Sequence, residues 1–250
     1  MMVDLVRSLG QGKVLSRIET HDPRIWAGQA PLQSLEAVDV QRRGKMIVVS
    51  DSNTALVVHL RMTGQIRRAP DHRKPRMEWF FETKERVVLL DTRCLARVEW
   101  VPHSQLEATW QAKKLGEEFW PHGRSGVWWR TRLGRRDASL KTALLDQSRV
   151  VGVGNIAASE LLWRAQLDPH CLLKDLQESQ WEAMARAADA HVAYCLDKED
   201  ADTLSFVTSG GPNFFKVYGK EGQACTRCQS VIVRVKQGAR ATFYCPTCQS

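Results

Sequence analysis

The chain has 250 residues, and its 36 Lys plus Arg against 28 Asp plus Glu give a formal charge of +8. A surplus of that size favours a polyanionic partner, nucleic acid or an anionic membrane surface, without choosing between them. No apolar run approaches the roughly 18 residues of a spanning helix, no signal-like apolar region opens the chain, and seven cysteines is an odd count, so the composition argues against a helical membrane protein and a secreted disulfide scaffold. The expectation is a cytoplasmic protein.

In chain order, residues 2–9 suit a short amphipathic helix ending at Gly10, with Leu5 and Leu9 on one face. Residues 45–50, 55–60, 78–81 and 86–90 are short β-rich runs separated by polar breaks, the spacing of an antiparallel sandwich, assigned here to 1–112. Beyond about Val101 the apolar spacing changes to three and four, which predicts helices over 104–114, 139–147, 155–166 and 176–196 and a helical domain over 125–205, with 121–126 as the link. Nine tryptophans are many for this length. Trp128 and Trp129 lie beside Arg130, Arg132, Arg135 and Arg136, where base stacking and core packing are both open, core packing being favoured. Cys94, Cys171 and Cys195 are widely spaced and read as reduced, packed thiols; 198–211 reads as a loop.

Between two helical patterns, Gly152 and Gly154 are expected at positive φ or at close backbone approaches. Asn155 then stands where the next helix begins, a place whose exposed amides attract a phosphate. In the last segment, 216–250, Cys225 and Cys228 are followed after sixteen residues by Cys245 and Cys248. Two such pairs separated by about 15–20 residues are the spacing of a tetrahedral all-thiolate zinc site; packed or disulfide-bonded cysteines are the alternative. Four thiolates leave no open coordination position, so one such ion would hold shape and perform no chemistry. Between the pairs, β-branched and polar residues alternate around Gln237 and Gly238, which predicts a hairpin presenting Arg234, Lys236 and Arg240 to phosphates or to solvent.

Residues 150–160, the segment Val217, Tyr218, Gly219, Lys220, and the hairpin residues 237–245 together strongly resemble the bacterial formamidopyrimidine-DNA glycosylase and endonuclease VIII family, with weaker similarity over nearly the whole chain. The resemblance implies an α+β protein: a β-sandwich, a helix-two-turn-helix domain and a zinc finger. It implies a monomer that binds damaged double-stranded DNA, excises oxidised bases and nicks the abasic site. Asn155 and Arg240 would then grip phosphates flanking the lesion. Lys45, in a segment like the family's, would contact the lesion-site phosphate and assist elimination. Met62 would fill the gap left by an extruded base and Arg93 would face the orphaned cytosine, with Leu95 where many members place a void-filling phenylalanine; such wedges are what an unstacked void requires. Arg76 is a further phosphate-contact candidate or a solvated charge. Glu160 is a candidate for orienting the site or for a salt bridge on its helix.

Two departures carry expectations. The family's members open with a proline whose secondary amine attacks the sugar C1′, followed by a glutamate, whereas this chain reads Met1, Met2, Val3, Asp4. The 250-residue form is therefore expected to bind DNA with little or no glycosylase activity, and a noncatalytic damage-binding protein is the alternative reading. Residues 203–216, shorter than the family's lesion-covering loop, leave the preferred damaged base open.

Overall fold

In the computed structural model the chain divides into two compact units, one running to Lys113 and the other from Lys114 to Lys198 together with the C-terminal residues. Residues 2–28, 34–120, 123–134, 137–198 and 213–250 are described.

The first unit opens with α1 (Met2–Gly10), whose expected face of Leu5 and Leu9 is buried together with Val3 and Val6. Eight strands follow: β1 (Leu15–Thr20), β2 (Asp39–Arg43), β3 (Met46–Ser50), β4 (Thr54–His59), β5 (Gly64–Arg68), β6 (Met77–Phe81), β7 (Arg86–Asp91) and β8 (Arg97–Pro102), then α2 (Leu106–Ala112). They form two four-stranded sheets, in the orders β1-β6-β7-β5 and β2-β3-β4-β8, with antiparallel neighbours throughout. Alternate residues of both sheets, Ile47, Val49, Leu56 and Val58 from one and Met77, Trp79, Val87 and Leu89 from the other, meet in one core with the buried face of α1. That is a sandwich. The four β-rich runs of the sequence are its four central strands, and the four edge strands, β1, β5, β2 and β8, were not among them. Edge strands carry polar residues on the uncovered side, as the mostly exposed Ser16, Arg17, Gln41 and Arg97 do, which blurs an apolar alternation.

The second unit contains β9 (Glu117–Glu118), α3 (Gly126–Leu133), α4 (Leu140–Leu144), β10 (Val150–Val151), α5 (Asn155–Ala165) and α6 (Glu178–Lys198), then the hairpin β11 (Val233–Gln237) and β12 (Arg240–Tyr244). The helical core gathers Trp129, Leu140, Leu144, Leu161, Leu162, Trp181 and Met184. Trp129 is fully buried, which settles it as core, while Trp128 is half-buried beneath Arg124, 4.7 Å from its ring centre, and donates to Glu117 at 3.1 Å. Helix α3 was not expected; Ser125 caps its start by accepting from the Trp128 amide at 3.2 Å. Helix α4 is shorter than expected because Asp146 turns the chain, its carboxylate accepting from the Ser148 amide at 3.1 Å and hydroxyl at 2.6 Å. Arg135, Arg136 and most of the expected 198–211 loop lie outside the described residues.

Candidate nucleic-acid interface and metal centre

The turn ahead of α5 is held by one side chain. Gln147 donates to the Val153 carbonyl at 2.8 Å and the Leu145 carbonyl at 3.1 Å, and accepts from the Gly152 amide at 3.0 Å. Gly152 has φ of 101°, which favours glycine, whereas Gly154 at φ −110° is an extended N-cap. Asn155 begins α5, and the first-turn amides there have no intrahelical acceptor. An open helix N-terminus is a phosphate site when a second group faces it.

The hairpin supplies that group. Gln237 pairs with Arg240 across a two-residue turn whose first member, Gly238, has φ of 60°. The register puts Arg240 on the strand face of Gln237 and Thr242, and Arg234 and Lys236 on the other, while all three cations line one open concavity at the hairpin. Lys141 joins hairpin to helix. It is fully buried, and its ammonium donates to Asn155 Oδ1 at 2.8 Å, the Ala241 carbonyl at 3.0 Å and Thr242 Oγ1 at 2.7 Å. Asn155 Nδ2 donates to the same Ala241 carbonyl at 3.0 Å. Three donors of one ammonium are thus matched by three acceptors. Burial, with a smaller contribution from nearby Arg240, lowers the Lys141 pKa to about 8. Arg240 itself is exposed at the end of this braced strand.

Glu160, on the same helix, is fully buried. Its carboxylate accepts from the amides of Lys216 at 3.0 and 2.9 Å, Val217 at 2.9 Å and Tyr218 at 3.0 Å. It anchors the stretch that leads into the cysteine segment. Glu160→Gln removes the charge and half the acceptor capacity, so the second unit is expected to lose about 1–3 kcal/mol, the usual effect of leaving buried partners unmet. Denaturant titration reads this as a lower midpoint at unchanged slope; a wild-type midpoint would contradict the anchoring role.

The four cysteines follow. The Sγ atoms of Cys225, Cys228, Cys245 and Cys248 all lie within 4.8 Å of one another, with Cys225 to Cys248 at 4.0 Å and Cys228 to Cys245 at 3.4 Å. Tetrahedral Zn–S bonds of about 2.3 Å place sulfurs about 3.8 Å apart, so the set fits zinc. Trp163 Nε1 donates to Cys225 Sγ and the Cys248 amide to Cys245 Sγ, each at 3.4 Å, orienting thiolates as ligand-supporting hydrogen bonds do. Arg227 stacks 4.2 Å from the Trp163 ring centre and donates to its carbonyl at 3.0 Å, and Gln249 donates to the Leu167 carbonyl at 3.0 Å. The cysteine segment therefore docks at the C-terminal end of α5, while the hairpin docks at its start.

In the first unit, strand register gathers the remaining candidates. Lys45 lies in the turn between β2 and β3, Met62 between β4 and β5, and Arg93 and Leu95 between β7 and β8. Met46 pairs with His59, His59 with Arg97, and Gly64 with Asp91, so all three turns share one rim of the sandwich. Met62 is 61% exposed, a large apolar side chain held in solvent, and Arg93 is exposed with Leu95 half-buried. His59 joins them. Burial first, then Arg61 and Lys45, lower its pKa to about 4, so the ring is neutral. Its Nδ1 accepts from the Arg61 amide at 3.0 Å, which leaves Nε2 as the protonated donor. Arg76 is turned inward: Nε donates to the Asp91 carbonyl at 2.7 Å, Nη2 to the Thr92 carbonyl at 3.3 Å and Nη1 to Asp22 Oδ2 at 2.8 Å.

Family models match three parts of the chain: the formamidopyrimidine-DNA glycosylase N-terminal domain at residues 2–98, its H2TH domain at 125–206, and the zinc finger found in FPG and IleRS at 222–250. The formamidopyrimidine-DNA glycosylase of Bordetella pertussis is 32% identical over 255 residues, covering 95% of this chain and 92% of that protein, and that of Magnetococcus marinus is 31% identical with the same coverage. The chain belongs to the formamidopyrimidine-DNA glycosylase family. Among solved structures, the complex between the Lactococcus lactis Fpg and abasic-site DNA has a TM-score of 0.80 at 26% identity, covering 100% of this chain and 98% of that one. The complex between the Lactococcus lactis Fpg and a Fapy-dG-containing DNA has a TM-score of 0.82 at 26% identity, with the same coverage.

As in its family, the protein carries one structural zinc, held by Cys225, Cys228, Cys245 and Cys248. Among the described residues no helix is long and apolar enough to cross a membrane. Three residues of this glycosylase fold escaped the sequence reading. Lys141 belongs to no motif, its one signal being a lysine inside the apolar run Leu140 to Leu145; His59 lies near the end of the run 55–60 and Asp91 just beyond the run 86–90, where neither spacing nor charge marks them.

Proposed function

We propose that this chain is a base-excision-repair glycosylase with abasic-site lyase chemistry, acting on oxidised bases in duplex DNA. The observation that carries the proposal is the braced pair in the second unit, an open helix N-terminus at Asn155 and the exposed Arg240, joined by buried Lys141. Two donors fixed on one frame suit the phosphates of a single strand. Lys45, with His59 beside it, contributes further phosphate contacts at the rim, and Met62, Arg93 and Leu95 fill the space vacated by an extruded base. Relatives in complex with Fapy-dG DNA and with oxidized-pyrimidine DNA support an oxidised-base substrate. Glu160 and Arg76 take structural places in this reading: one anchors the entry to the finger, the other braces a rim turn. The protein works as a monomer on nucleoid DNA in the cytoplasm.

In the family's chemistry an amine with a pKa well below that of lysine attacks C1′, expels the base and forms an imine that acidifies the adjacent proton for strand-cleaving elimination. Borohydride trapping on abasic duplex tests this step in the 250-residue polypeptide. An adduct supports the enzyme, and lesion-selective binding without an adduct supports the noncatalytic reading of that polypeptide. Arg240→Ala tests the phosphate grip: affinity should fall for all duplexes alike, and the slope of log Kobs against log salt should shrink by about one phosphate's worth. An unchanged slope removes Arg240 from the interface.

A further inference from the structure

We infer that Asp91 is a positioning residue that locks the two stack-filling turns of the rim into one body, so that Met62 and Arg93 engage a duplex as a unit. The inference rests on the proposed roles of those two side chains. Asp91 closes β7 and is 3% exposed. One carboxylate oxygen, Oδ2, accepts from the amides of Leu95 and Ala96, both at 2.6 Å, while Oδ1 accepts from the Arg93 amide at 3.2 Å. The turn that carries Arg93 and Leu95 is thus wrapped around one anion. Oδ1 also accepts from the hydroxyl of Thr63, the residue after Met62.

A single buried carboxylate therefore ties together two turns that are 28 residues apart in sequence. From the outer side, Arg76 caps the Asp91 and Thr92 carbonyls and is itself held by Asp22. Asp22 is buried too and carries Arg24 at 2.7 Å, so the brace is continuous. Backbone pairing of Gly64 with Asp91 already sets the turns side by side. What the pairing does not set is the attitude of residues 61–63 and 92–95, which lie beyond the ends of the strands. Burial opposes the charge on Asp91, but the hydrogen bonds from Ala96, Thr63, Leu95 and Arg93 outweigh it and keep the group ionised.

A wedge made of two independent side chains pays the ordering entropy of each separately, whereas one prepositioned body does not. Coupling between Met62 and Arg93 is thus the quantity to measure, because lost stability alone would not remove it. Selectivity is the ratio of affinities for a tetrahydrofuran-containing duplex and the undamaged duplex, measured on the zinc-loaded full chain. In the wild-type background, the combined effect of Met62→Ala and Arg93→Ala should depart from the product of the single effects by about fivefold or more. Thr63→Val cuts this side-chain link between the turns and leaves the amide bonds of the Arg93 turn to Asp91 in place; there the departure should fall below about twofold. Thr63→Ser keeps the hydroxyl and should restore the wild-type coupling. Equal coupling in all three backgrounds, or Thr63→Ser behaving as Thr63→Val, overturns the inference while leaving the proposed function standing. A wild-type protein that binds both duplexes alike overturns both.

Discussion

Removing the zinc is expected to abolish tight duplex binding and to melt the C-terminal finger, while the unit running to Lys113 keeps its own unfolding transition. The finger's buried cluster is small: Trp163, Val217, Cys225, Ile232 and Cys245, with Cys228, Phe243 and Cys248 packed at its margin. So little apolar area cannot order a segment of this length, and structural zinc sites of this kind typically supply about 10–16 kcal/mol of folding free energy near neutral pH. Without the ion, four thiols 3.4 to 4.8 Å apart have no common partner. The consequence reaches Arg240, because β12 runs from Arg240 to Tyr244 and the next residue is a ligand. Chelation, or Cys245→Ser, should lower affinity for abasic duplex by at least about 100-fold, as expected when a helix-fixed phosphate contact loses its frame. Calorimetry should show one transition lost or shifted and one retained. Chelated protein with wild-type affinity and salt slope would show that the hairpin stands without its metal.

Lys141→Met should produce the second large effect. Methionine matches the length of the buried stem but leaves Asn155 Oδ1, the Ala241 carbonyl and Thr242 Oγ1 facing an apolar group. Each unmet buried acceptor costs about 1–3 kcal/mol, and the sum is lowered because Asn155 Nδ2 still donates to the Ala241 carbonyl and the Thr242 hydroxyl still donates to Gln237 Oε1, so a loss of about 3 kcal/mol in hairpin docking is expected. Duplex affinity should then fall by about 10- to 100-fold. Lys141→Arg should not restore it, since a planar fork cannot replace a tetrahedral ammonium in a closed pocket.

The same lysine predicts a pH dependence. Its folded pKa of about 8 lies below the ordinary lysine value of 10.5, so burial disfavours its charged form, a penalty fully present below pH 8 and relieved as pH rises toward 10.5. Binding acts in the opposite direction. A phosphate on Arg240 screens the cation that helps lower Lys141, so the pKa rises in the complex and binding takes up a proton. Affinity should therefore be greatest below pH 8 and decline as pH climbs from about 8 through the raised value. Fluorescence anisotropy between about pH 7 and 9.5 brackets that range and reads the slope, which Lys141→Met should flatten; an equal slope in both proteins would assign it to another group.

Much of the architecture was legible because it is written in local spacing. The paired cysteines, the α1 face of Leu5 and Leu9, the four central strands and the start of α5 at Asn155 all follow from patterns a few residues long. Local spacing failed at sheet edges, where partners on one side only leave polar residues tolerated.

The sequence by itself determined the zinc set and the family, and it supplied the candidates proposed to meet DNA. Only the tertiary structure decided which of those residues work together. Lys141 finds its acceptors 14, 100 and 101 residues away, Glu160 finds its amides 56 to 58 residues on, and Thr63 reaches Asp91 across 28. Arg76, basic and near a motif, turned inward to two carbonyls and Asp22. The reason is common to all of them. A buried charge is tolerable only where the fold delivers matching partners, and those partners come from distant parts of the chain that composition and spacing do not connect.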